Sequence, residues 1–289
     1  MPKSDTARLL ISASDQPGLV AAVSQFLHSH GANVLDAAQH ATAPQGGAFF
    51  MRVVFTIPGL ADSVDHLERA FGKRVGEPFA MDWKLHYTAP RKRMAILVSK
   101  YDHALVELLW RWRSSELDVD IPLVVSNHDD LRSTVEHYDI PFHHLPISKT
   151  TKPAQEQELI RLLDDHAVDF LVLARYMQIL TPRVVEPYRH RIINIHHSFL
   201  PAFVGANPYR HAYNRGVKLI GATAHYVTAD LDEGPIIEQD VRRVSHRHEV
   251  NDLRQLGREV ERNVLARAVA AHATDRVLVY GNKTVVFEA

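Results

Sequence analysis

The chain has 289 residues, 46% hydrophobic and 23% charged, with a formal net charge of −1. That length exceeds one ordinary domain and carries enough apolar residues for a sizeable core. The near-neutral balance, without a long basic block, argues against an electrostatic nucleic-acid binder. No apolar run approaches the ~20 residues that span a bilayer, so no membrane partner is expected. The chain has no cysteine, which removes disulfides, thiolate metal sites and a thiol nucleophile. The first residues show no signal-peptide apolar region, and a cytoplasmic protein is expected.

Residues 7–87 read as β-α-β-β-α-β. Ala7–Ala13 is a short apolar strand, and Asp15-Gln16-Pro17-Gly18 starts a helix, with Pro17 pre-set for its first turn and Asp15 near its positive end. Leu19, Val20, Val23, Phe26 and Leu27 keep helical spacing until Gly31. A strand follows from about Asn33, then a turn at Pro44–Gly47. Phe49, Met51, Val53, Phe55 and Ile57 alternate along the next strand; Val64, Leu67, Phe71 and Val75 mark a helix face. Phe79, Met81, Trp83, Leu85 and Tyr87 alternate along a strand buried on one face. This order is the ferredoxin-like split βαβ.

With Asp15-x-Pro17-Gly18 after the first strand and Gly31-Ala32-Asn33-Val34 at the second, the segment resembles an ACT domain. The resemblance implies a homo-oligomer through side-by-side pairing of such domains. It also implies a small amino-acid effector near Asp15, Gly18 and Asn33. The plainer alternative stays open: Asp15 caps a helix, Asn33 turns the chain, and the module only dimerises.

Thr88–Arg93 is a short polar linker, giving domains 1–87 and 94–289. Beyond it, buried strands alternate with helices, as in a Rossmann-like, mostly parallel sheet. Strands are expected at Met94–Ser99, Ile121–Ser126, Pro141–Ile147 and Asp169–Ala174, with helices around Leu105, Leu131–Tyr138 and Leu159. Asn251–Thr274 is a long closing helix, its stripe formed by Leu253, Leu256, Val260, Val264 and Leu265. Val277–Tyr280 and Thr284–Phe287 form a hairpin around Gly281-Asn282.

The chemistry concentrates between Ile192 and Pro235. Read as a strand, Arg191–His196 puts Asn194 and His196 on one face and turns His197 away. Gly221–Val227 reads as a second strand, running into Asp230-Leu231-Asp232-Glu233-Gly234-Pro235, a turn that can aim a carboxylate back at the first. An amide, an imidazole and a carboxylate at strand ends suffice for acyl-group hydrolysis or transfer.

Asn194-x-His196 followed by Leu231-Asp232-x-Gly234-Pro235 resembles the folate-dependent formyltransferase family, and Leu200-Pro201 sits after the first motif as in that family. His197 stands where glycinamide ribonucleotide formyltransferases carry proline, which is similar to the formyltetrahydrofolate deformylase branch. The resemblance implies catalytic roles for Asn194, His196 and Asp232: oxyanion donor, proton shuttle and orienting anion. Its Gly234-Pro235 anchor selects Asp232 over Asp230. It implies a folate pocket in Arg175–Pro182, with Met177, Gln178, Ile179 and Leu180 in contact. His225 joins that set or packs beneath the site. Gln178 stands where the transferase branch often has Arg, so a charged contact to the folate tail is not carried over.

The implied activity is hydrolysis of 10-formyltetrahydrofolate, feeding one-carbon and purine metabolism, with folate as substrate and no separate cofactor. A metal site is not expected despite 19 His, since the adjacent pairs His143-His144 and His196-His197 diverge on strands and no helical His pair appears. The junction Ser99-Lys100-Tyr101-Asp102-His103 has no glycine for a phosphate nest, and Asp102 repels phosphate, which favours water as acceptor. The loop Ala202–Tyr209 adds apolar bulk at the expected rim. Two other readings stay open: transfer to a small amine, and an amino-acid sensor with an idle second domain.

Overall fold

The computed structural model describes residues 5–43, 46–148, 150–201 and 208–288. Most of the expected rim loop and part of the expected turn at Pro44–Gly47 lie outside these residues. The chain divides into two compact units. One contains Met1–Arg91, Asp275–Leu278 and Val285–Ala289; the other contains Lys92–Thr274 and Val279–Thr284.

The first unit follows the expected order: β1 (Thr6–Ser14), α1 (Leu19–Ser29), β2 (Asn33–Ala41), β3 (Ala48–Thr56), α2 (Val64–Phe71) and β4 (Asp82–Tyr87). Its antiparallel sheet runs β2-β3-β1-β4. Leu9, Ile11, Val53 and Phe55 pack with Leu19, Val23 and Phe26 of α1 and with Leu67 and Phe71 of α2. Two local readings change. Gly18, at φ +96°, caps α1 without a side-chain hydrogen bond, so neither Pro17 nor Asp15 belongs to its first turn. The last strand starts at Asp82 rather than Phe79, because a π-helical turn at Gly72–Gly76 and a turn through Ala80 occupy the preceding residues. Edge strand β2 is exposed along almost its whole length, including Val34 and Leu35.

The carboxyl-terminal segments assigned by sequence to the second domain belong partly to this first unit. Arg8 Nη1 lies 3.0 Å from Asp275 Oδ2, and Arg52 Nε donates to the Asp275 carbonyl at 2.9 Å. The linker is also shorter than expected: Thr88 donates to the Thr6 carbonyl at 3.1 Å, and Lys92 already opens the next sheet.

The second unit contains β5 (Lys92–Val98), α3 (His103–Arg113), β6 (Val119–Ser126), α4 (Arg132–Glu136), β7 (Phe142–His144), α5 (Lys152–Asp165), β8 (Phe170–Ala174), α6 (Pro182–Val185), β9 (Ile192–His196), α7 (Pro208–Arg215), β10 (Leu219–Tyr226), β11 (Ile236–Arg243) and α8 (Val250–Ala273). A small hairpin, β12 (Val277–Tyr280) and β13 (Lys283–Val286), follows. Its seven-stranded sheet runs β11-β10-β9-β8-β5-β6-β7, with β10 antiparallel to both neighbours. The central strands β5 and β8 are buried on both faces, which is why Met94–Val98 and Phe170–Ala174 are unbroken apolar runs. Helix α8 starts with a capping box between Glu249 and Asp252.

From β5 the chain adds β6 and β7 on one side, then crosses to β8 and β9 on the other. The gap between β5 and β8 is therefore a topological switch point, where crevices of such sheets open beyond the strands' carboxyl ends. No described helix is long and apolar enough to cross a membrane.

Candidate active site

Strand β9 ends at this edge. Register pairs Asn194 with His225 and His196 with Thr223 across β9 and β10, so all four side chains share one face. Ile193 and Ile195 point to the other face and are buried. The Thr223 hydroxyl donates to the Ser198 carbonyl at 3.0 Å and accepts from Leu200 N at 3.0 Å and Gln239 Nε2 at 2.9 Å. It thereby fixes the chain leaving His196. The sequence reading does not single out Thr223 or Gln239, because their use depends on the pairing of β10 with β9 and β11.

The turn after β10 brings the carboxylate back. Tyr226 N donates to the Pro235 carbonyl at 2.9 Å. A Cβ on Gly234 would lie 1.8 Å from the Tyr226 carbonyl oxygen, so only glycine permits this closure. Asp232 sits at φ +58°, a left-handed conformation that aspartate tolerates better than most residues. Its Oδ2 lies 3.1 Å from His196 Nδ1, and its Oδ1 lies 3.5 Å from His225 Nε2. Hydrogen bonding from His196 is the main cause; it outweighs partial burial and holds the Asp232 carboxyl well below the usual range. Asp230 is exposed, and its carbonyl accepts from Thr228 Oγ1 at 3.0 Å.

Because a carboxylate only accepts, His196 carries its proton on Nδ1. Its Nε2 is buried and has no hydrogen-bond partner among the described residues. His225 Nδ1 faces the Tyr226 carbonyl at 3.0 Å and must donate to it. In the neutral ring its Nε2 then accepts from Asn194 Nδ2 at 3.2 Å. That bond fixes which way the Asn194 amide points and leaves its second N–H without a partner among the described residues. Of the two readings of His225, contact with substrate or packing beneath the site, its 1% exposure and its bonds to Asn194 and Tyr226 favour the second.

The expected folate segment lies beyond β8. Met177 is 55% and Ile179 61% exposed, whereas Leu180 belongs to the core and is no wall residue. Gln178 is half-buried. This exposed apolar stretch is tied down at many points. Met177 N donates to Ser99 Oγ at 3.0 Å, which donates to Asn127 Oδ1 at 2.6 Å. Lys152 Nζ donates to the Ile179 carbonyl at 2.6 Å, and Thr181 N donates to buried Glu156 Oε1 at 2.9 Å. Anchoring of this kind holds apolar side chains toward solvent, as a ligand wall requires.

In the first unit, Asp15 is half-buried and its N–H donates to the Gly47 carbonyl at 2.8 Å; Asn33 is exposed at the start of β2. Among the described residues no group of three or more His, Asp or Glu is arranged to hold a metal ion.

An ACT-type module joined to a switch-point α/β domain defines the class, and comparison with known proteins agrees. Residues 92–269 match the formyl transferase family and residues 7–72 the ACT domain. The chain belongs to the formyltetrahydrofolate deformylase family: it is 53% identical over 283 residues to the formyltetrahydrofolate deformylase of Bacillus subtilis, covering 98% of this chain and 94% of that one. The crystal structure of a formyltetrahydrofolate deformylase from Pseudomonas syringae superposes with TM-score 0.93 at 51% identity, covering 98% of this chain and 94% of the other. A glycinamide ribonucleotide transformylase 1 from Symbiobacterium toebii matches with TM-score 0.65 at 28% identity, covering 71% of this chain and 98% of its own.

Proposed function

We propose that the protein hydrolyses 10-formyltetrahydrofolate to tetrahydrofolate and formate in the cytoplasm, with water as formyl acceptor and no separate cofactor. Family membership supports the substrate. The observation that carries the mechanism is the Asn194–His196–Asp232 arrangement, with His196 Nε2 left without a partner among the described residues.

The second N–H of Asn194 holds the formyl oxygen as it gains negative charge. Water adds to the formyl carbon and gives a proton to His196 Nε2. Asp232, ionised and 3.1 Å from Nδ1, stabilises the resulting imidazolium. His196 then passes the proton to the leaving nitrogen of the folate, the carbon–nitrogen bond breaks, and formate departs. His225 acts as a positioning residue through Asn194 and Asp232. Met177 and Ile179 form an apolar wall for the pterin, with Gln178 between them.

The first unit serves as a pairing and effector module. Its open edge β2 supports self-association, since an unpaired strand offers free backbone donors and acceptors. A small amino acid near Asp15, Gly18 and Asn33 is the matching effector. Calorimetric titration with glycine, serine and methionine, beside light scattering, tests this; no heat and a monomeric chain reject it.

The reaction is tested by formate release from 10-formyltetrahydrofolate without any amine, and again with glycinamide ribonucleotide. A hydrolase releases formate at full rate in both and leaves the ribonucleotide unformylated. Fast formylation of the amine with slow formate release makes the protein a transferase.

A further inference from the structure

One polar cluster at the same sheet edge has no part in this mechanism. Glu261, in the middle of α8, is 1% exposed. His103 Nε2, just beyond β5, donates to its Oε2 at 2.8 Å, and the Tyr209 hydroxyl of α7 donates to its Oε1 at 2.7 Å. Arg175, the residue beyond β8, brings Nε to 3.5 Å from Oε2. The Arg175 guanidinium also lies over the Tyr101 ring, 5.2 Å from its centroid. Burial drives the Glu261 carboxyl up, but the His103 hydrogen bond and Arg175 outweigh it and keep the carboxyl below its ordinary value.

Two backbone features show that the cluster is built. Arg175 adopts φ +63°, a region where a non-glycine residue is strained, and its side chain is 90% buried. On α8, a Cβ at Gly257 would lie 2.0 Å from the Tyr209 hydroxyl, so the helix has glycine where the phenol crosses it.

The position is the informative part. Tyr101 and His103 follow β5, Arg175 follows β8, and His196 and His197 end β9, three adjacent parallel strands. The cluster therefore lies at the switch-point end of these strands, next to the proposed site. His197 belongs with it: its ring meets Tyr209 edge-on, with centroids 6.1 Å apart. Burial, then Arg175, lowers the His197 pKa to about 4, so it stands neutral beside His196.

We infer that the Tyr101–His103–Arg175–Tyr209–Glu261 cluster determines acceptor specificity: it occupies the space a second organic substrate would need beside the formyl group, and leaves water as the nucleophile. The inference rests on the hydrolase reading above. Atoms balance either way. Water gives formate; an amine admitted to the site would add to the formyl carbon, pass its proton through His196 to the folate nitrogen, and leave as the formamide.

The test is the product partition of full-length protein supplied with 10-formyltetrahydrofolate and excess hydroxylamine or glycinamide, read by mass spectrometry as formate against formylated amine. Arg175→Gly removes the plugging side chain and suits the positive φ; Tyr101→Ala opens the exposed side of the cluster and stands in if the first variant does not fold. Wild type gives formate alone, and the variants raise the formylated fraction at least tenfold. If wild type releases formate and both variants keep its partition, the specificity role is overturned while the hydrolase reading stands. If wild type itself formylates the amine, both fail.

Discussion

Asp232 meets His196 at 3.1 Å, and Glu261 meets His103 at 2.8 Å, both along the edge where the parallel strands of the large sheet end. The two carboxylate–imidazole pairs differ in what else holds the anion. Asp232 comes from a turn, and its described partners are two imidazoles, groups whose charge can change. Glu261 comes from mid-helix and is shared with Arg175, a permanent cation, and with the Tyr209 phenol. The first pair can gain and lose a proton without stranding a fixed charge. The second cannot, because moving a proton there would leave Arg175 facing a neutralised partner in a buried place. On the proposed readings, the same pair of residue types serves proton transfer in one surrounding and rigid filling in the other.

The largest expected effect breaks the second pair. Glu261→Ala leaves Arg175 and His103 buried without their anion, and a loss of about 3–5 kcal/mol of unfolding free energy is expected. Urea denaturation followed by circular dichroism reads it, and a loss under about 1 kcal/mol would contradict a buried ionic anchor.

Breaking the first pair costs activity rather than folding. Asp232→Asn and His196→Ala are each expected to lower turnover by on the order of 10²-fold or more while the folded protein persists. Near-normal formate release by folded Asp232→Asn protein would shift the role to Asp230.

The pH dependence sharpens the contrast. The folded-state pKa of Asp232 is depressed below its reference of 3.8, so the folded protein binds fewer protons there than the unfolded chain as acid is added. The stability it contributes is complete above about pH 5 and is lost as pH falls through the depressed value. The stability gap between wild type and Asp232→Asn is expected to narrow below about pH 4; a gap constant from pH 7 to 3 would deny the depressed pKa.

The smallest effect is expected at the folate wall. Glu156→Gln weakens the tie to Thr181 and loosens the loop carrying Met177 and Ile179. KM is expected to rise several-fold with kcat within about twofold, since a substrate-binding contact common to ground and transition states is lost. Equal falls in kcat and kcat/KM would move this anchor into the chemistry.

Much of this was legible beforehand because the signals are local. Alternation and helical spacing located most of the expected strands and helices, since apolar side chains must face a core at period 2 or 3.6. Strand β11 was not read out, because its charged end, Arg242-Arg243, masks an edge-strand pattern. Leu180 reads as a wall residue, and His225 as either a substrate contact or a packed residue, because a segment's neighbours do not reveal which of its side chains turn inward. Asn194, His196 and Asp232 are legible as candidates because two short motifs place the first two at the end of a strand and the third in the turn after the next one.

What the sequence determined by itself was the order of elements, the two-part organisation and the candidates for the site's acid–base groups, all properties of residues close together in the chain. The tertiary structure decided the rest. Pairing β10 against β9 put His225 under Asn194 and gave Thr223 its hold on the loop after His196. Packing α8 across the sheet brought Glu261 to Arg175 and His103, 86 and 158 residues away in the chain. No local pattern encodes such meetings, because a buried charge finds its partners only when distant segments are brought together.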